Sequence, residues 1–323
     1  MIKTGIDIDF AAKCIKEGGL VAFPTETVYG LGADAFNPFA VARIFEVKQR
    51  PTFDPLIVHI SRMDQINDLF SNNISDIVYA LASAFWPGPL TIVHPKLASV
   101  PDIVTAGLNT VAVRMPSHPV AKELIRLANT PIAAPSANRF GQLSPTRPEH
   151  VMKQLDDIEY LLVGDSEMVG VESTVVSIQD GHCTLLRPGA ISLADIQKVV
   201  PCSHYMADRS EKKLHAPGLL KSHYSPTKPL YVLEKDIIST LPANSGLILH
   251  GERNSPANCS RVIHTSQDQN YTEVAANPFT ALHHMEDDPF VTQIFIEPVE
   301  ETGLGLAIMD RINKAAYRYQ LNN

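Results

Sequence analysis

Gly19-Leu20-Val21-Ala22-Phe23-Pro24-Thr25-Glu26-Thr27-Val28-Tyr29-Gly30-Leu31-Gly32 is the stretch from which the fold is read. The apolar run Leu20–Phe23 predicts a buried strand, and Pro24, which has no backbone N–H for a ladder, predicts its end. Two hydroxyls, a carboxylate and a phenol follow at once. The glycines Gly30 and Gly32 then predict a tight turn or a close approach to a ligand. A strand that ends in a polar, glycine-rich segment is where open α/β sheets bind their ligands. On its own the stretch is equally well a strand followed by an ordinary loop.

Further motifs lie downstream. A helical period from Pro38 through Val47 runs into Lys48-Gln49-Arg50-Pro51, and the apolar run Leu56–Ile60 holds His59. Short strands are predicted to deliver Pro135-Ser136-Ala137-Asn138 and Arg187-Pro188-Gly189 at their ends. Other helices are expected over residues 7–17, 63–70, 75–85, 120–128 and 307–319. Strands are expected over 90–93, 111–115, 174–178, 184–186, 230–233, 247–250 and 293–296. The mixture predicts an α/β protein with a mixed sheet. Three parts are expected: residues 1–205, a Pro/Gly-punctuated linker over 206–228, and a smaller α/β unit over 229–323.

Composition narrows the class. With 45% hydrophobic and 19% charged residues, the chain reads as an ordinary globular protein. It contains no apolar run of about 18 residues, and its N-terminus lacks a signal-like apolar core, so a cytoplasmic protein without a membrane span is expected. The four cysteines, Cys14, Cys183, Cys202 and Cys259, lie far apart, which argues against a zinc site or a disulfide framework. A net charge of −8 argues against a general nucleic-acid surface. An anionic ligand must therefore find a local cluster of cations.

Each candidate has a plainer reading. Lys48 and Arg50 are cations two residues apart at a helix end, where they also favour the helix dipole. Ser136 and Asn138, with the same spacing at a strand end, are suited to a phosphate, a ribose or a base edge, and equally to a plain turn. Arg114, at the end of an apolar strand, suits capture of a carboxylate or a simple ion pair. His59 in an apolar strand is ordinarily a core histidine.

Taken together, Pro24–Gly32, Lys48-x-Arg50, Leu56–Ile60, Ser136-x-Asn138 and Gly170-Val171-Glu172-Ser173-Thr174 resemble the YrdC-like family, in particular its two-domain threonylcarbamoyl-AMP synthases. The resemblance runs from about residue 7 to about residue 200 and continues into the C-terminal extension. It implies a YrdC-like mixed twisted sheet, with helices forming a concave nucleotide site, plus a smaller C-terminal Rossmann-like unit. It implies that L-threonine, bicarbonate and ATP form threonylcarbamoyl-adenylate and pyrophosphate, with Mg2+ carried on the ATP phosphates. The implied ATP contacts are Lys48, Arg50, Asp54, Thr110, Ser136, Asn138, Ser144, Arg187, His223 and Tyr224. The implied threonine contacts are Thr27, His59, Arg114, Ala134 and Ser173. Lys48, Arg50 and His59 would carry the catalytic roles, positioning charge and assisting proton transfer.

Asp54 departs from the pattern, because many relatives carry Asn there and a carboxylate beside a triphosphate needs a cation or hydroxyl to tolerate it. The product would feed the machinery that modifies tRNA next to the anticodon. Direct contact with tRNA is left open. The linker, with Lys221, His223 and Tyr224 between Pro217-Gly218 and Pro226, is expected to close over the nucleotide site. Two other activities compete with this one: a YrdC-type RNA-binding or ribosome-assembly module, and carbamoyl transfer from carbamoyl phosphate. The acidic charge weighs against the first, and the lack of zinc-type cysteine motifs against the second.

Overall fold

The computed structural model describes residues 2–164, 170–204, 224–233, 241–251 and 259–320. Its strands, in chain order, are β1 (Thr4–Gly5), β2 (Val21–Phe23), β3 (Gly30–Asp34), β4 (Ile57–His59), β5 (Leu90–Pro95), β6 (Thr110–Arg114), β7 (Ile132–Ala133), β8 (Tyr160–Leu162), β9 (Thr174–Gln179), β10 (His182–Arg187), β11 (Cys202–His204), β12 (Leu230–Val232), β13 (Ser245–Leu249), β14 (Arg261–His264) and β15 (Gln293–Ile296). The first eleven form one mixed sheet in the order β1-β8-β2-β3-β7-β4-β6-β5-β9-β10-β11. The last four form an all-parallel sheet in the order β12-β15-β13-β14. The expected mixed α/β architecture is present, with helices covering both sheets. His223 and most of the expected lid lie outside the described residues.

The opening stretch differs from its sequence reading in one respect. Gly30 and Gly32 do not turn the chain; they belong to β3, which runs back antiparallel to β2 with Phe23 opposite Gly30 and Val21 opposite Gly32. Space is the reason for glycine at position 32. A Cβ there would stand 2.7 Å from both Phe23 Cε1 and Ile132 Cγ2. The turn is instead made by the six residues between the strands, so Thr25, Glu26 and Thr27 sit together at one sheet end.

The helix Pro38–Lys48 follows from its ends. The Asn37 side chain accepts hydrogen bonds from the Phe39 and Ala40 amides, Pro38 occupies the first turn, and Gln49 closes the helix in the left-handed region at φ 52°. This geometry sets Lys48 in the last turn and releases Arg50 toward the sheet end. The expected helix at 63–70 is a 3-10 helix, Met63–Asp68. The segment 75–85 is an α-helix, Asp76–Phe85, capped by the Ser75 side chain.

One large apolar cluster lies under the main sheet, with Leu20, Leu31, Ile44, Val58, Ile92 and Val113 at its centre. A second cluster joins the helices Ile8–Lys16 and Pro119–Ala128 to Val21 and Phe23. The core of the C-terminal part, around Phe279, Leu282, Ile294 and Ile308, is continuous with Val28, Leu143 and Val171 of the first part. Polar contacts reinforce that seam. His150 and His283 stack with ring centroids 3.7 Å apart, His283 Nε2 lies 3.1 Å from the Ser144 carbonyl oxygen, and the Thr146 and Thr280 hydroxyls are 3.0 Å apart.

Candidate active site

Several strand ends converge on one cavity. Its walls include Thr25, Thr27 and Val28 between β2 and β3, Arg50, Pro55 and Leu56 before β4, and Ile57 and His59 at the two ends of β4. Arg114 ends β6, Ala134–Ser136 follow β7, Glu172 and Ser173 precede β9, Arg187 ends β10, and Tyr224 closes the ring. The parallel register of β4 and β6 places His59 beside Arg114. Both therefore project at the carboxyl ends of neighbouring parallel strands, where α/β sheets bind ligands.

Arg114 is already engaged. It donates to the Thr27 hydroxyl at 3.0 Å and to the Gly88 carbonyl at 3.3 Å. Its Nη2 also stands 2.6 Å from Glu26 Oε1, an ion contact rather than a well-aligned hydrogen bond. The ion-pair reading of Arg114 is met by Glu26, and the side chain also lines the cavity. Burial alone would raise the Glu26 pKa, but the nearby Arg114 charge outweighs it and holds the carboxyl below its ordinary value. These contacts hold Arg114 in place in the cavity wall.

His59 is 4% exposed and its Nδ1 has no hydrogen-bond partner among the described residues. Burial first, and Arg114 second, press its pKa down to about 3. The ring is therefore neutral at pH 7. It brings no charge to the cavity.

On the other side, Arg50 is matched to Asp54. Nη2 lies 2.8 Å from Asp54 Oδ2, Nε donates to the Asp54 carbonyl at 3.1 Å, and Nη2 donates to the Pro55 carbonyl at 2.9 Å. Asp54 is fully buried and does not line the cavity. The carboxylate that departs from the family pattern is thus a counter-ion for Arg50. Arg187 donates from Nε and Nη2 to the Ser173 carbonyl at 3.2 and 2.8 Å, and from Nη2 to the Ser173 hydroxyl at 3.1 Å. The Ser173 hydroxyl also meets the Thr91 hydroxyl at 2.7 Å.

Four other expected contacts stand behind the wall. Lys48 is 1% exposed and donates to the Ser136 carbonyl at 2.5 Å and to the Asn138 carbonyl. The Asn138 amide donates to the carbonyls of Arg139 and Gln142 at 2.8 and 2.9 Å, tying its loop rather than facing the cavity. The Ser144 hydroxyl donates to Glu172 Oε1 at 3.1 Å. Thr110 opens β6 four residues before Arg114 and lies outside the lining. The register that sets Ile57 beside Ala112 puts Thr110 on the Pro55 side of the sheet.

Tyr224 is 1% exposed, with φ +64°. Its ring lies 5.4 Å from Phe279 and 5.6 Å from the Arg311 guanidinium. Burial pushes its phenol upward, so it stays protonated. Glu26, Glu172 and Arg311 were not singled out by the sequence reading. The two glutamates lie inside motifs it quoted, next to Thr27 and Ser173. Arg311 has no local signal at all.

Comparison with known proteins gives the family. The Sua5/YciO/YrdC family model, described as "Telomere recombination", matches residues 13–189. The model described as "Threonylcarbamoyl-AMP synthase, C-terminal domain" matches residues 191–317. The threonylcarbamoyl-AMP synthase of Pyrococcus abyssi is 42% identical over 96% of this chain and 94% of its own length. That of Bacillus subtilis is 41% identical over 95% and 92%. The solved structure of P. abyssi Sua5 complexed with L-threonine superposes with a TM-score of 0.90 at 40% identity, covering 99% of this chain and 98% of the other. E. coli YciO, at 19% identity and a TM-score of 0.50 over 59% of this chain, shares the fold alone. By sequence along nearly its whole length and by its fold, the chain belongs to the YrdC-like family of two-domain threonylcarbamoyl-AMP synthases.

Proposed function

We propose that this chain is a nucleotidyltransferase that makes L-threonylcarbamoyl-adenylate and pyrophosphate from L-threonine, bicarbonate and Mg-ATP. The observation that carries the reading is the single cavity that unites Thr27, His59 and Arg114 with Arg50, Ser136 and Arg187. Those groups form an amino-acid half and a phosphate half of one site. The P. abyssi relative, solved with L-threonine, supports the first half.

In this mechanism Arg114 holds the threonine carboxylate, aided by Thr27, Ser173 and the backbone at Ala134. Neutral His59 accepts a hydrogen bond from the α-amino group and keeps its nitrogen directed at the reacting carbon. The amine adds to the carbon of bicarbonate with loss of water, giving a carbamate. A carbamate oxygen then attacks the α-phosphorus of ATP, the bond between the α-phosphorus and the bridging oxygen breaks, and pyrophosphate leaves. Arg50 and Arg187 stabilise the phosphate charge, with Ser136 and Tyr224 placing the nucleotide. Lys48, Asn138, Asp54 and Ser144 shape the walls from behind.

Mg2+ enters as part of the Mg-ATP substrate. Glu172 in the cavity wall, and Glu26 and Asp54 behind it, are each matched to an arginine, at 2.6, 2.6 and 2.8 Å, which suits a metal that travels on phosphate oxygens. The product, a labile mixed anhydride, would pass to the machinery that threonylcarbamoylates tRNA, and the enzyme would act in the cytoplasm. Pyrophosphate release from ATP, measured with and without threonine and bicarbonate, tests the reading. Release is expected only when all three substrates are present, and equal release without threonine overturns it.

A further inference from the structure

Arg311 belongs to the helix Leu304–Gln320, 139 residues from the carboxylate it serves. It is 1% exposed, and its Nε donates to Glu172 Oε2 at 2.6 Å. Nη2 donates to the Pro188 carbonyl at 3.0 Å, Nη1 pairs with Asp310, and the guanidinium lies 5.6 Å from the centre of the Tyr224 ring. Arg311 itself does not line the cavity, whereas Glu172 and Tyr224 both do. One buried cation from the C-terminal helix thus backs two walls of the site. The division between the two matched family models falls between residues 189 and 191, so the Glu172–Arg311 pair crosses it.

The charges explain why such a cation is needed. Glu172 is a carboxylate in the wall of a cavity whose proposed ligand carries a triphosphate, and Arg187 is close enough to feel the charges of both Glu172 and Arg311. An uncompensated Glu172 would repel the phosphates and compete with them for the cationic wall. Inside a protein such like-charge contacts are weakly screened.

We propose that Arg311 is a positioning residue for the nucleotide half of the site, cancelling the Glu172 charge, so that the C-terminal part completes a site built on the first sheet. This rests on the proposed synthase activity. The amino-acid half, held by Arg114, Glu26 and Thr27, is built without Arg311.

The test uses the full-length chain and calorimetric titration with Mg-ATP and, separately, with L-threonine. Arg311→Met is expected to weaken ATP binding by about tenfold or more while threonine binding stays within about twofold. The double variant Arg311→Met/Glu172→Gln, in which the buried pair becomes neutral, is expected to recover ATP binding to within about threefold of wild type, because neutral replacements of buried ion pairs are commonly tolerated. In turnover, Arg311→Met should raise the KM for ATP more than it lowers kcat.

Equal losses for both ligands, or a folded double variant as impaired toward ATP as Arg311→Met, would overturn the inference. Should Arg311→Met not fold, the double variant alone decides: near-normal ATP affinity supports the charge argument and a tenfold loss refutes it. Wild-type turnover in the same assays separates this outcome from failure of the synthase reading, which would show as no threonine-dependent pyrophosphate at all.

Discussion

Lys48→Met separates two roles that a lysine at this position could have. The side chain keeps its length but loses the ammonium that holds the carbonyls of Ser136 and Asn138. Each charge-assisted bond to a buried carbonyl contributes about 1.5–3 kcal/mol, so the gross loss is about 3–6 kcal/mol. Part of that returns, because methionine carries no charge to desolvate. Burial is the main reason that the Lys48 pKa lies well below the ordinary lysine value, with Arg50 adding to it. A net destabilisation of about 2–4 kcal/mol follows, which for a chain of this size lowers the melting temperature by roughly 3–6 °C. The Pro135–Asn138 turn should loosen with it, and ATP affinity should fall because Ser136 lines the cavity. The checks are thermal denaturation and calorimetric titration with ATP below the melting transition. A melting temperature within about 1 °C of wild type, with ATP binding abolished, would refute the reasoning. In that event Lys48 touches the phosphates directly and does not staple the turn.

Arg114→Ala should weaken L-threonine binding by about 1.5–3 kcal/mol and leave Glu26 as a buried carboxylate without its cation; calorimetry showing unchanged threonine affinity would remove Arg114 from the amino-acid half. Acid should destabilise the protein ahead of ordinary carboxylate titration. Burial depresses His59 and His150 to about 3 and His250 to about 4, so as the pH falls from 6.5 to 4 the unfolded chain takes up protons that the native chain refuses. Each of these histidines then removes stability at up to about 1.4 kcal/mol per pH unit, and above pH 6.5 the loss is absent. Melting temperatures measured across pH 7 to 4 should fall steadily, and a flat profile would show that these rings are protonated in the native state.

Where the sequence was legible, a local signal existed. Pro24 announced the end of β2, Pro38 and Asn37 the start of a helix, and Pro188 the exit from β10. Where it was not, the deciding partner lay far away in the chain. Gly32 reads as a turn residue until Phe23 and Ile132 are seen to occupy the space of its missing side chain. Asp54 reads as an awkward ligand until its carboxylate is found on Arg50. Arg114 and Thr27 are 87 residues apart, and the Glu26 carboxylate beside them has no periodicity or spacing that marks it as their partner. Lys48 was assigned to the site because of the family motif, and it does serve that region, but by holding carbonyls behind the wall. Motifs identify which segments meet. They do not tell which side chain faces inward.

The apolar seam between the two parts bears on how such proteins gain or lose a domain. Val28, Leu143 and Val171 are at most 6% exposed because the C-terminal part covers them, and Gly170 sits so tightly against Ala276 that a Cβ would stand 2.2 Å from its carbonyl oxygen. A gene truncated at this seam would leave those side chains uncovered. It would yield a protein with an oily patch beside the loop that carries Thr25 and Thr27, inviting aggregation where the substrate should dock. Descent from two domains to one, or the reverse, therefore requires coordinated change at positions 28, 143 and 171.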